Sequence, residues 1–261
     1  MNCLIETALL THGLRSIANE ELAQSWHCPD AILAWVDGGE LKLGPIGEYL
    51  PFRERSEELI RIDCDHLEEA LQTGASGALT ASGTMAACRK LDIPMAITCG
   101  MGGIGDLRGE ELCPDLPALM NIPVALISTS PKDMLDRPAT LDWLRRHGVH
   151  TAGEPCTGYL FCGKPVALEL PLSSCNNEAV VRRLTANGGL LLLNPIPEKE
   201  RVQDQSILVD AIKAGKQAEA EGHYYHPAAN GEIDRRTDGY SSRIQLESIQ
   251  QNYLLAKSIM D

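Results

Sequence analysis

An apolar run, Ile93–Thr98, breaks directly into a stretch with glycine at 100, 102, 103, 105 and 109. A second apolar run, Val124–Ser128, ends in Thr129-Ser-Pro-Lys132. Short apolar runs of this kind, alternating with helical segments, predict strands of an α/β sheet. Ligands of open α/β sheets bind beyond the carboxyl ends of the strands, and both the glycines and Lys132 fall there. Glycines after a strand either let backbone N–H groups approach an anion or simply make a turn. Their spacing matches neither the dinucleotide fingerprint nor the Walker loop. Lys132 has two readings of its own, an ordinary first-turn lysine or an amine nucleophile whose pKa is lowered by desolvation or a nearby cation.

The rest of the chain fits the same plan. Cys3–Leu10 is an apolar segment interrupted by a single charge at Glu6, and a carboxyl inside such a run is either a strand-end group facing water or a buried proton donor with a raised pKa. Asn19–Trp26 has helical character, and Ala31–Val36 with Asp37-Gly38-Gly39 and Glu40–Leu43 reads as a hairpin. Pro45–Ser56 is loop or short helix, and Leu59–Ile62 is a strand carrying Arg61, which either reaches a ligand phosphate or caps a sheet edge. A helix is predicted over 65–73. Gly74–Thr84 is small and hydroxyl-rich, suited to a second anion site or to close helix–sheet packing, and precedes a helix over 85–91. Further helices are predicted over 133–148, 205–222 and 241–260, with a buried strand at Leu190–Leu193 leading to Asn194 and a proline-stiffened loop. His223 and His226 are three apart, a weak metal pair without a third ligand.

At 261 residues the chain fits one α/β catalytic domain over 1–261, a three-layer α/β/α arrangement with a central mixed sheet. A formal charge of −13 excludes a general nucleic-acid binder, because such proteins replace counterions with clustered lysine and arginine. No stretch approaches the roughly 20 apolar residues of a membrane span, and no signal peptide precedes the first strand. The nine cysteines are scattered and unpaired in spacing, so reduced thiols and a cytoplasmic location are expected.

Leu4–Gly13, Gly74–Thr80, Thr98–Gly103, Pro114-Asp-Leu116, the strand ending at Lys132 and Asn187–Glu198, in this order, resemble the pseudouridine-5'-phosphate glycosidase family, which includes indigoidine synthase A-like proteins. The resemblance covers almost the whole chain, without the leader that usually precedes the first strand. It implies a manganese-dependent lyase, usually a homotrimer, that splits a carbon–carbon glycosidic bond into uracil and ribose 5-phosphate. A glutamate protonates the ribose ring oxygen, and a lysine attacks the anomeric carbon to give an imine (Schiff-base) adduct. By position Glu6 matches the acid and Lys132 the nucleophile. Arg61 stands where the family has a substrate-binding lysine. Thr80, Ala81, Thr98, Cys113, Asp115 and Asn194 match substrate-contacting positions.

The chain also departs from the pattern. Ile104-Gly-Asp-Leu-Arg108-Gly109 replaces a family segment containing histidine, and the following acidic segment is shorter, leaving Glu111, or its neighbour Glu110, as the metal-binding counterpart. A family asparagine that holds the base falls on Arg243, or on Gln245 in a shifted register. Three readings follow: the family reaction itself, the same imine chemistry on another ribose 5-phosphate C-adduct or toward C-nucleoside synthesis, and a catalytically decayed binding subunit.

Overall fold

The structure, a computed structural model, describes residues 2–105, 113–186, 188–223 and 225–260. Its strands are β1 (Cys3–Ile5), β2 (Leu33–Asp37), β3 (Glu40–Gly44), β4 (Ile60–Ile62), β5 (Gly77–Leu79), β6 (Met95–Ile97), β7 (Gly100–Met101), β8 (Ala125–Ser128), β9 (Ser130–Pro131), β10 (His150–Gly153) and β11 (Leu190–Leu193). The helices are α1 (Asn19–Ser25), α2 (Ile46–Arg53), α3 (Leu67–Thr73), α4 (Ala81–Lys90), α5 (Asp115–Asn121), α6 (Arg137–Arg146), α7 (Glu178–Thr185), α8 (Gln205–Ala220), α9 (Tyr225–Arg236) and α10 (Tyr240–Met260).

The main sheet runs β10-β11-β8-β6-β1-β2-β5-β4, with β3 on β2. It is parallel from β10 to β2, and β5 then runs antiparallel to β2 but parallel to β4. Successive side chains of a strand point to opposite faces, and β8 shows the consequence. Ala125 and Ile127 pack with α10 and the other helices of one face, whereas Leu126 packs with α4, α5 and α6 on the other. Two apolar layers on one sheet make the expected α/β/α sandwich. The four leucines of β11 are buried on both faces, each contributing about 1.5–3 kcal/mol.

One departure from a regular sheet positions the site. β3 pairs with β2 along all five of its residues and so occupies one edge. β1 and β5 therefore share the other edge, β1 at Leu33 and β5 at Trp35 and Val36. Because β5 runs the opposite way, the carboxyl ends of β1 and β5 meet head-on. Thr7 clamps the junction: its N–H donates to the Leu79 carbonyl (3.2 Å), its hydroxyl donates to the Ala34 carbonyl (2.7 Å), and the hydroxyl oxygen accepts the Leu79 N–H (3.0 Å). Strand ends from two opposed parallel runs thus converge on one cavity. After the junction the chain makes a single π-helical turn, Leu9–Gly13, a form that recurs at functional sites. The buried Arg53 guanidinium ties this turn down by donating to the carbonyls of Leu10, Leu14 and Ile17.

Several elements go beyond the sequence expectation. The Pro45–Ser56 segment contains α2, and the helix expected at 85 starts at Ala81 because the Thr80 side chain caps it by accepting the Gly83 N–H. β5, α5, α7 and α9 were not expected at all. α9 carries Pro227 in its first turn, where the missing N–H has no intrahelical partner to lose. No described helix is long and apolar enough to cross a membrane. All nine cysteines are free thiols.

Candidate active site

Glu6 lies one residue past β1, pinned to β6 by its N–H donating to the Ile97 carbonyl (2.9 Å). Its side chain is buried and accepts a hydrogen bond from the Thr98 hydroxyl (2.7 Å). Burial raises its pKa from the usual 4.5 to about 7, against the opposing effects of the Thr98 bond and the nearby Lys132 and Arg61 cations. The carboxyl therefore keeps a proton close to neutrality, as a general acid must.

Lys132 is placed by a small second sheet in which β7 and β9 pair in parallel beyond the main sheet. The Lys132 N–H then donates to the Met101 carbonyl (3.1 Å), which locks the lysine to the glycine loop. Desolvation, followed by the adjacent Arg61 charge, lowers its pKa, while Glu6 and Asp115 oppose the shift. The net shift is downward, the direction an amine nucleophile requires. Burial and the Asp115 charge push the Cys113 thiol up to about 12, which disfavours its thiolate.

Glu6, Lys132, Arg61, Thr80, Ala81 and Asp115 line one cavity together with Gly100, Tyr159 and Asn230. A second, wider pocket shares Arg61, Thr80, Asp115 and Lys132 and adds Cys113, Ser82 and His226. Neither Arg61 nor Lys132 makes an ion pair among the described residues, so two cations face the cavity of a strongly acidic chain.

The glycine loop proves to be a packing device. A Cβ on Gly102 would lie 2.0 Å from the Cys113 sulfur, and one on Gly100 would lie 2.7 Å from the Tyr159 ring. The Gly102 N–H donates to Asp115 Oδ2 (2.7 Å), and the Ser82 N–H at the start of α4 donates to Asp115 Oδ1 (3.1 Å). One carboxylate of the protein thereby takes both anion-accepting N–H groups that the sequence offered to a phosphate. Asp115 joins the glycine loop, α4 and α5 into one wall.

Asn194 and Arg243 stand apart from this cluster. They line another pocket with Glu200, Tyr240 and Glu247, and Arg243 is exposed and pairs with Glu21 (3.3 Å). Asn194 donates to Asn252, which in turn donates to the Thr98 carbonyl (2.8 Å), so it braces the strand ends from behind. Gln245 is buried, unlike Arg243, and its side-chain oxygen accepts the Tyr159 hydroxyl (2.9 Å). Helical periodicity turns 245 inward and 243 outward, which favours the shifted register. Glu110 and Glu111 lie outside the described residues. Among the described residues no three His, Cys, Asp or Glu side chains cluster to hold a metal ion.

Tyr159, Asn230 and the cavity-lining position of His226 escaped the sequence reading. The signal for the last two was present as an i, i+4 spacing, which places both on one face if the segment is helical.

The profile of the indigoidine synthase A like protein family matches residues 4–260. The chain belongs to that family. The chain is 26% identical to a pseudouridine-5'-phosphate glycosidase of Methylobacterium nodulans, over 98% of this chain and 81% of that protein. A protein of the same name from Caldanaerobacter subterraneus is 27% identical over 95% and 87%. Among solved structures, an indigoidine synthase A-like protein of Thermotoga maritima superposes with a TM-score of 0.79 at 20% identity, covering 98% of this chain and 91% of that one. The prealnumycin C-glycosynthase AlnA, solved with ribulose 5-phosphate, gives 0.77 at 21% identity with the same coverage. These likenesses establish the α/β fold of this family member.

Proposed function

We propose that this family member cleaves the carbon–carbon glycosidic bond of pseudouridine 5'-phosphate, releasing uracil and ribose 5-phosphate. The observation that carries the reading is the pairing, in one cavity, of a carboxyl that holds its proton to about pH 7 with a lysine whose pKa is lowered. Glu6 gives its proton to the ribose ring oxygen as the bond from that oxygen to C1' opens. The Lys132 amine forms a bond to C1'. The nitrogen lone pair then forms the imine as the C1'–base bond breaks, the bonding electrons leave with uracil, and the base carbon takes up a proton. Water adds to the imine and restores the amine with ribose 5-phosphate. Arg61 supplies positive charge for the phosphate.

The test is release of uracil and ribose 5-phosphate by chromatography, with borohydride present during turnover in a parallel sample. A mass increase on the peptide containing Lys132, and loss of both products in Lys132→Ala, are expected. Unchanged turnover in Lys132→Ala overturns the mechanism. Manganese dependence through Glu111 belongs to the same proposal and is checked by chelation, readdition and a Glu111→Ala variant. A homotrimer is checked by light scattering.

A second reading keeps Glu6 and Lys132 and changes the leaving group. It is favoured by Gln245 and Tyr159, a hydrogen-bonded pair behind the cavity where the family places an asparagine. A relative named for C-glycosynthesis shares the fold, so the reverse direction belongs to this reading. Efficient, uracil-selective cleavage excludes it.

A further inference from the structure

We infer that α9 contributes two substrate-contacting residues, with His226 reading the phosphate end and Asn230 a sugar hydroxyl. This rests on the proposed function and names which atoms of this chain hold the ribose 5-phosphate part.

His226 and Asn230 are four residues apart, one helical turn, and so lie on one face of α9. That helix packs against the π-helical turn after Glu6 and against α8 and α10. Asn230 enters the cavity that holds Glu6 and Lys132, and His226 enters the adjoining pocket that shares Lys132, Arg61 and Asp115. The side-chain oxygen of Asn230 and Nδ1 of His226 are both sealed from solvent and have no hydrogen-bond partner among the described residues. Buried polar atoms are almost always paired, because each unpaired one forfeits its bond to water without replacement. Two such atoms on one helical face, opening on the same pair of linked pockets, mark places where a ligand supplies the missing partners.

The chemistry of each atom says what that partner is. An amide oxygen only accepts, so Asn230 requires an O–H or N–H from the ligand, and beside the reacting pair that donor is a hydroxyl of the sugar. His226 is held neutral, with its pKa lowered to about 3 by burial and by the Lys132 and Arg61 charges. A neutral imidazole donates from one nitrogen. Beside the Arg61 guanidinium, which makes no ion pair among the described residues, the group that takes both this donor and the positive charge is a phosphate oxygen.

The test is calorimetric binding of ribose 5-phosphate, ribose and inorganic phosphate to the native protein and to Asn230→Leu, His226→Leu and His226→Gln, with melting temperatures of each ligand-free protein. Native binding of ribose 5-phosphate is expected. Asn230→Leu and His226→Leu should each weaken it about tenfold, with His226→Gln partly restoring it through its amide N–H. His226→Leu should also narrow the preference for ribose 5-phosphate over ribose. Both leucine variants should melt at or above the native temperature, because each removes an unpaired buried atom. Ligand affinity unchanged in both leucine variants overturns the inference while leaving the proposed function standing. Lower melting temperatures with unchanged ligand preference show a structural role and also overturn it. Failure of the native protein to bind ribose 5-phosphate overturns the proposed function and this inference together.

Discussion

Replacing Glu6 with Gln gives the sharpest test of the buried acid. Both native and unfolded carboxyls are protonated at pH 4. As the pH rises through 4.5 the unfolded carboxyl releases its proton, while the native one holds it to about 7. The wild type therefore loses stability relative to its unfolded state across this window, and the loss is complete above pH 7. The interval corresponds to about 3 kcal/mol, at roughly 1.4 kcal/mol per pH unit. Gln does not titrate, and its amide oxygen still accepts the Thr98 hydroxyl. The gap between Glu6→Gln and wild type should then widen by about 3 kcal/mol from pH 4 to pH 8, or about 6–12 °C in melting temperature for a chain of this length. Any constant offset from the amide itself cancels in that difference. Urea and thermal unfolding at half-unit pH intervals measure it, and turnover should fall by about a hundredfold or more with the acid removed. A gap that stays flat from pH 5 to pH 8 would refute the raised pKa, and with it the assignment of Glu6 as proton donor.

The other predictions concern the walls of the same cavity. Thr98→Val removes the bond that favours the ionised Glu6, so the alkaline limb of the kcat/KM profile should move to higher pH; an unmoved limb contradicts the Thr98–Glu6 coupling. Gly102→Ala forces a Cβ against the Cys113 sulfur and within 3.1 Å of Asp115, which should cost about 1–3 kcal/mol in urea unfolding along with most of the activity. A variant as stable as the parent would show that the loop has room to spare. Asp115→Ala leaves the Ser82 and Gly102 N–H groups without their acceptor, and a loss of about 2–4 kcal/mol is expected by the same assay. A change of less than half a kcal/mol would remove Asp115 as the link between the glycine loop and α4.

Local sequence carried much of the candidate site because the two residues proposed to react sit at strand ends. Glu6 follows β1 and Lys132 follows β9, and a short apolar run shows where a strand stops whatever it pairs with. Arg61 was legible as the one charge inside a short apolar run, and it is the middle residue of β4. Arg243 was not, because a two-residue choice of register on α10 decides whether a residue faces the core or the solvent, and the structure turns Gln245 inward. Asn194 was visible as a strand-end residue, but its partner Asn252 is 58 positions away and its bracing role depends on α10 crossing behind the sheet.

The order of apolar runs, the glycines between them and the unpaired charges settle by themselves that this chain forms an α/β layer structure of the indigoidine synthase A-like family, with an acid and an amine at strand ends. These are properties of short windows, fixed by side-chain periodicity and by which groups tolerate burial. That β1 and β5 meet head-on, that Asp115 takes the N–H groups a phosphate would want, and that α9 brings His226 and Asn230 over Lys132 were decided only in three dimensions. Each depends on segments far apart in the chain packing against one another, and the pKa values of Glu6 and Lys132 follow from the water which that packing removes.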